Sequence, residues 1–457
     1  MNSSRFPSAR SFHHNPDAAP DSPEALAPYV DNGEEIFTTD RYTSAEYAEL
    51  EWDRMWTRTW TLAGLVADIP KVGDYFKYDL GRESFIVVRT GEQPDAIKAF
   101  YNVCQHRGNQ LVRNDFGSVR TFRCFFHSWE WEIDGKLKLI PEAESYPPNL
   151  IADEPPLSAV RCELWDGFVF LNMDTDAEPL LDFLAPLPEH LAPYRFAEMK
   201  VVKDLQTPWP CNWKIAHDAF IEVQHVHAVH PEILGFINEY NVQWDLYRNG
   251  MSRMLLKFGE VSPKLADRTT VNDGLEGLMS EVDLDPGAYP DTAAGVRKAI
   301  QQAKRSWATS RNIDYDMFTD NQLTDDWNYS LFPNITFNAH PEGLLIQRFR
   351  PHPRDPQSMV YDLLVLIHPI EDPDYNVPGY MGVEPGTDLS GKTRPKRRII
   401  EYGEDGLGFV INQDAIMMGY MQRGVQSRGY KGARYSHQEQ QLRHWHKELE
   451  RYLSGEK

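Results

Sequence analysis

Cysteine is scarce in this 457-residue chain: only Cys104, Cys124, Cys162 and Cys211 occur. That is too few for a disulfide framework and turns attention to metal ligation. Long apolar runs are also missing. The longest, around Leu363 to Ile367, falls far short of the roughly 18 residues that cross a bilayer, and the N-terminus lacks a signal-peptide apolar region. A soluble, cytoplasmic protein with no membrane partner is expected. Positive charge is in deficit, with 47 Lys and Arg against 68 Asp and Glu, a net charge of −21. The densest basic patch is Lys392, Arg394, Lys396, Arg397 and Arg398. Such a field repels polyanions, so nucleic acid is excluded as a partner. No Gly-x-Gly-x-x-Gly fingerprint follows a strand, which argues against a dinucleotide-binding domain in this chain. Internal repeats are absent. What is present is a 41% hydrophobic composition, enough for two or three packed cores and incompatible with disorder of the whole chain.

Residues 1–35, rich in Ser, Pro and Ala and carrying His13 and His14, have no hydrophobic periodicity and read as a mobile arm. Tyr47, Leu50, Trp52, Met55 and Trp56 have helical spacing. Strand-like runs follow at Ser84 to Arg89, Ala99 to Val103, Arg120 to Phe125 and Gly167 to Asn172. Beyond the Pro-rich crossing at Pro179 to Pro193, strand candidates at Asn334 to Asn338, Leu344 to Arg350 and Met359 to His368 alternate with helices. These helices are expected over Asn212 to Val229, over Gly408 to Arg423, and from a capping box Ser436…Glu439 that leads to Leu442, Trp445 and Leu449. The charged stretch Lys264 to Arg311 has no evident place in a core and reads as an insertion or lid.

Two short segments each offer a Cys and a His: Cys104-Gln105-His106-Arg107-Gly108 and Cys124-Phe125-Phe126-His127-Ser128-Trp129. A structural zinc site of two Cys and two His is one reading, although such sites usually space their paired ligands by two or more residues. The other is a two-iron cluster in which each segment sends its ligands to different ions, thiolates to one iron and imidazoles to its neighbour. Phe125, Phe126 and Trp129 are then expected to shield it from water.

A second constellation gathers Asp218, Glu222, His225, His227 and His230 within thirteen residues. On a continuous helix Asp218, Glu222 and His225 share a face, while His227 points away. His225 and His230 converge only if the helix opens into a wider turn or ends there, and Pro231 makes an ending plausible. Taken alone, the run is either a solvated helix end or a metal site.

The Cys-x-His-Arg-Gly and Cys-x-x-His-x-Trp halves resemble those of the large (α) subunits of Rieske non-haem iron ring-hydroxylating oxygenases. Phe125-Phe126 stands where that family often has Pro-Tyr, and Ser128 where it often has Gly. The resemblance implies an α+β chain, with a β-rich Rieske [2Fe-2S] domain ahead of a helix-grip catalytic domain of antiparallel sheet plus helices. The implied division is an arm over 1–35, an N-terminal helical segment over 36–59 packing on the catalytic domain, the Rieske domain over 60–175, and the catalytic domain over 176–457. It also implies that Cys104 and Cys124 bind one cluster iron, and His106 and His127 the other. A mononuclear Fe(II) is expected on His225, His230 and Asp414, with Asp405 and Asp218 as fallback carboxylates. Glu222 matches the bridge between metal centres, and Asp218 stands where the family often has Asn or Glu beside the iron, in either a functional or a plain salt-bridge role. Cys162 and Cys211 match no ligand position and read as buried small hydrophobes.

The activity implied is that of a terminal oxygenase. It would use O2 and electrons from NADH or NADPH, delivered by a reductase and in some systems a ferredoxin, to cis-dihydroxylate an aromatic ring. A closed head-to-tail homotrimer or an α3β3 assembly with a small β subunit is implied, each cluster feeding the iron of its neighbour. O- or N-demethylation or quaternary amine hydroxylation by a monooxygenase is an alternative. An electron-transfer Rieske protein without mononuclear iron is the alternative from another class.

Overall fold

The computed structural model describes residues 30–289, 292–310, 314–372, 375 and 377–457. Most of the expected N-terminal arm, His13 and His14 included, lies outside them. The described residues divide into two compact units, one built from 51–183 with 352–354, the other from residues of 184–351 and 355–457 together with 30–50.

In the smaller unit a seven-stranded antiparallel sheet runs in the order Thr61–Leu65, Phe168–Asn172, Ala159–Trp165, Ile97–Tyr101, Glu83–Arg89, Asp74–Leu80, Phe116–Ser118. Short strands Thr121–Arg123, Glu130–Glu132 and Leu137–Leu139 make a second sheet. Ile86, Val88, Phe100, Phe122, Trp129 and Trp131 form a core between them, and Cys104 and Cys124 are buried in it. The Cys104 segment follows the strand Ile97–Tyr101, and the Cys124 segment is the tip of the hairpin in which Arg123 pairs with Glu130.

In the larger unit eight strands run in the order Ile237–Leu246, Ser252–Phe258, Asp326–Leu331, Ile335–His340, Gly343–Pro351, Met359–Ile367, Lys200–Trp209, Arg398–Ile399. All neighbours are antiparallel except the last pair. The capping box at Ser436 and Glu439 forms as expected, and the helix Gln440–Ser454 that it starts is buried along most of its length. Its Trp445 packs edge-on against Trp213, ring centroids 5.4 Å apart, and donates Nε1–H to the Pro333 carbonyl at 2.9 Å. This contact seats the short helix Trp213–Ala219.

Two expectations need correction. The stretch 264–311 does have a place in a core: its helices Asp273–Ser280 and Ala293–Ser310 bury Leu275, Leu278, Met279, Val296 and Ile300 with Trp244, Met254 and Phe258. The helix expected from Asn212 to Val229 is interrupted, with helical turns only at Trp213–Ala219 and Val226–Val229. Among the described residues no helix is long and apolar enough to cross a membrane.

Candidate metal centres

In the smaller unit the two Cys-His segments are two copies of one turn. The Cys104 N–H donates to the Asn109 carbonyl at 2.8 Å, and the Gly108 N–H returns to the Cys104 carbonyl at 3.0 Å. The Cys124 N–H donates to the Trp129 carbonyl at 2.8 Å, and the Ser128 N–H to the Cys124 carbonyl at 3.0 Å. Each turn thus buries its Cys and carries its His two or three residues on. The rings of His106 and His127 meet edge to face, at 75° with centroids 4.6 Å apart.

The donor set suits a bound cluster. His106 Nδ1 is buried without a hydrogen-bond partner, and burial together with His127 and Arg107 lowers its pKa, which keeps the imidazole neutral. Burial alone would raise the Cys124 thiol, but backbone N–H groups of Phe126 and His127 aimed at its sulfur bring it below the usual value. Burial, with Cys124 close by, raises Cys104. Trp129 stacks on His106 at 5.1 Å, 2° from parallel, and its Nε1–H donates to the Tyr146 hydroxyl at 3.3 Å. The shield is therefore Trp129 and Tyr146. Phe125 and Phe126 were expected in that role but are 72% and 61% exposed, because the turn directs its N–H groups inward at the sulfur and its side chains outward.

In the larger unit the last helical turn ends at His230, before Pro231, as expected, but a break that the sequence did not suggest precedes it. Glu222 Oε2 accepts the backbone N–H of Gln224 and, at 3.2 Å, of His225, so a side chain caps the start of the turn Val226–Val229. His225 and His230 stand immediately before and after that turn, and their rings approach to 5.2 Å. Asp414, on the helix Phe409–Val425 and 4% exposed, completes the group. Its Oδ1 is 3.0 Å from His230 Nε2 and 3.5 Å from His225 Nε2, and one ligand atom from each residue falls within 4.8 Å of the others.

The outer nitrogens are also held. His225 Nδ1 donates to Glu222 Oε1, and His230 Nδ1 donates to Gln413 Oε1 at 2.7 Å. Both Nε2 atoms are thereby aimed at Asp414, and His230 Nε2 has no hydrogen-bond partner. Two imidazoles and one carboxylate converging with orphaned lone pairs suit a divalent cation, with positions left open for another ligand. Burial would lower His225, but Glu222 and Asp414 raise it to about 9, a measure of how strongly the site favours positive charge. Gln413 went unnoticed in the sequence; the only signal was its place next to Asp414.

His227 is exposed and turned away. Asp405 is exposed and accepts the Asn412 side-chain amide. Asp218, at the end of Trp213–Ala219, does not share a helical face with His225. Its Oδ2 is surrounded by Tyr42 OH at 2.8 Å, Tyr435 OH at 3.1 Å and His446 Nε2 at 3.1 Å. Burial would raise Asp218, but His446 holds it below the usual carboxylate value. A cavity of about 210 Å³ is lined by Asp218, Glu222, His225 and Asp414 with Met417, Met421 and other side chains. Cys211 is buried; Cys162 is only half-buried, its thiol pushed up to about 12 by desolvation.

Residues 196–455 match a family model described as the ring hydroxylating alpha subunit (catalytic domain), and residues 59–154 match the Rieske [2Fe-2S] domain. The chain is 32% identical over 200 residues to a glycine betaine monooxygenase oxygenase subunit of Chromohalobacter salexigens, 44% of each chain. It is 36% identical over 186 residues to a benzene 1,2-dioxygenase subunit alpha of Pseudomonas putida, 39% of this chain and 40% of that one. The match thus spans under half the length of these curated relatives. A quaternary ammonium Rieske monooxygenase superposes with a TM-score of 0.64 at 17% identity, covering 92% of this chain and 96% of that one.

Proposed function

This chain belongs to the family of ring-hydroxylating oxygenase alpha subunits, and from that premise we propose that it is the terminal oxygenase of a multicomponent system that hydroxylates a small organic molecule. The family's Rieske domain carries a [2Fe-2S] cluster and its catalytic domain a mononuclear iron. We assign 60–175 to the first domain and 176–457 to the second, with 36–59 packing on the catalytic domain. In this reading Cys104, Cys124, His106 and His127 hold the cluster, and His225, His230 and Asp414 hold the iron. When bound, these groups supply electrons singly and activate dioxygen.

The chain's own residues prepare that chemistry. Glu222 and Gln413 fix the tautomers of His225 and His230 and hold both imidazoles in position. Trp129 and Tyr146 keep water from the imidazole side of the cluster. Electron entry through Glu222 from a second copy is supported by complementary surfaces. The cluster tip exposes Phe125 and Phe126, with Arg113 and Arg107 over their rings. The carboxylate helix exposes Ile416, Met417, Tyr420 and Met421, and the adjoining cavity is lined by Glu222, Asp218 and Glu439. A homotrimer, alone or with a small β subunit, follows. Electrons would come from NADH or NADPH through a cytoplasmic reductase, with or without a ferredoxin.

The single observation that carries the reading is the convergence of His225, His230 and Asp414 with Glu222 behind His225. An electron carrier has no use for that triad. The first substrate reading is cis-dihydroxylation of an aromatic ring. Glu222 at the bridge favours a second, monooxygenation of a quaternary amine, and the glycine betaine relative supports it. The test is an iron and sulfide count followed by product analysis with a surrogate reductase. Three irons and two sulfides per chain are expected, with O2-dependent product from aromatic acids and hydrocarbons in the first case and from trimethylammonium compounds in the second. Two irons per chain and no product would sink the oxygenase reading.

A further inference from the structure

Asp218 is held in an unusual way for a residue outside the ligand set. Arg41 donates NH1–H to His446 Nδ1 at 3.1 Å. A guanidinium can only donate, so Nδ1 must be the acceptor and the ring proton sits on Nε2, facing Asp218 Oδ2 at 3.1 Å. Tyr42 and Tyr435 also crowd that oxygen, and their hydroxyls lie 2.7 Å from each other. Two hydroxyl protons cannot serve all three oxygen contacts, so Oδ2 receives two or three donors. The other oxygen is different. Oδ1 is buried and has no hydrogen-bond partner among the described residues, although Asp218 is only 8% exposed and lines the cavity shared with His225 and Asp414. Leaving a carboxylate lone pair dry is costly, and the cavity volume of about 210 Å³ is room for several waters. Met417 and Met421, at its rim, are 40% and 43% exposed.

We propose that Asp218 is a positioning residue: its Oδ1 holds a water molecule in this cavity, and that water delivers the protons consumed when dioxygen is reduced. The inference rests on the oxygenase reading above. Dihydroxylation joins both atoms of O2 to substrate, and monooxygenation joins one and releases the other as water; either consumes two electrons and two protons. The electrons come from the reduced cluster, which a reductase recharges. For each proton, an O–H bond of the held water breaks and an O–H bond forms on the dioxygen-derived oxygen. The hydroxide left behind is reprotonated from bulk solvent through the cavity rim. Asp218 stays ionised throughout, because Tyr42, Tyr435 and His446 crowd its Oδ2 with donors.

The same anchoring makes Asp218→Asn informative. Surrounded by donors, the Oδ2 position accepts only the amide oxygen, so the NH2 must take the place of Oδ1 and turn an acceptor into a donor. The iron-loaded, ferrous protein is treated with nitric oxide as a dioxygen surrogate, and proton ENDOR is recorded in H2O and D2O. The parent should show an exchangeable proton near the nitrosyl that is lost or displaced in Asp218→Asn, with iron content unchanged. Tyr435→Phe, which keeps the carboxylate, should retain that proton and gives a second comparison if Asp218→Asn folds poorly. In parallel, oxidation of the pre-reduced cluster by O2 should slow by about tenfold or more in Asp218→Asn, with a larger solvent isotope effect. An unchanged exchangeable proton and isotope effect in Asp218→Asn would overturn the role of Asp218. Absence of any iron-nitrosyl signal in the parent would instead overturn the oxygenase reading beneath it.

Discussion

Gly108 and Ser128 occupy the same place in two copies of one turn, with φ of +76° and +61°. Both donate back to the Cys four residues earlier, so both are locked in the left-handed region that only glycine enters without strain. Gly108→Ser should cost about 1 kcal/mol. Ser128→Gly should range from neutral to a gain of under about 1 kcal/mol, because added freedom of the unfolded chain offsets the relieved strain. Urea unfolding followed through visible cluster absorption reads both changes. A Gly108→Ser variant as stable as the parent would mean that the left-handed position imposes no strain on a side chain.

The histidines sort by position around one helical turn. His225→Ala or His230→Ala should lose the mononuclear metal and leave the cluster spectrum intact, whereas exposed His227→Ala should change neither. Gln413→Leu removes no ligand but frees His230 Nδ1, and should weaken Co(II) or Fe(II) binding by about 10- to 100-fold. Titration of the metal-depleted protein measures this. Unchanged affinity in Gln413→Leu would show that His230 is oriented by its backbone alone.

Glu222 serves His225 Nδ1 with one oxygen and two backbone N–H groups with the other. Glutamine can accept on one side only. Glu222→Gln should keep both metal centres occupied, since it supplies no ligand, yet a pre-reduced cluster mixed with oxygen and substrate should stay reduced about 10- to 100-fold longer. Rapid oxidation with normal product yield would reduce Glu222 to a turn cap.

Away from the metals, Glu281 is raised by burial to about 7, while the Gly379 N–H at 3.0 Å and Lys304 oppose the rise. Its folded value lies above its unfolded one, so the stability it contributes is complete below about pH 4.5 and is lost as pH rises through about 7. Glu281→Gln should therefore flatten the decline in Tm between about pH 4.5 and 7. A decline as steep as the parent's would assign it to other groups.

Much of the smaller unit was legible because its strands alternate and its ligand pairs are adjacent in sequence. The strands Ser252–Phe258 and Asp326–Leu331 were not, being buried end to end with Arg253, Asp326 and Asn328 inside, so alternation never appears. Residues 264–311 misled because solvent-side charges such as Arg268 and Lys298 outnumber the apolar stripe carried by Leu275, Met279, Val296 and Ile300. The break before Val226 escaped notice because a side chain makes it: Glu222 competes for backbone N–H groups that a continuous helix would have used. His225, His230 and Asp414 could be named from a resemblance. Only folding shows that Gln413 stands behind His230, and Tyr42 behind Asp218.

Seven of the eight strands of the large sheet lie, in chain order, between His230 and Asp414. An ion gripped by both residues is therefore a clasp on a very long loop. No partial structure can offer it a seat, because the two ends meet only after the intervening sheet has been laid down. The ion's binding free energy still adds to that of the closed chain, and its loss releases a clasp whose closure the sheet had already made possible.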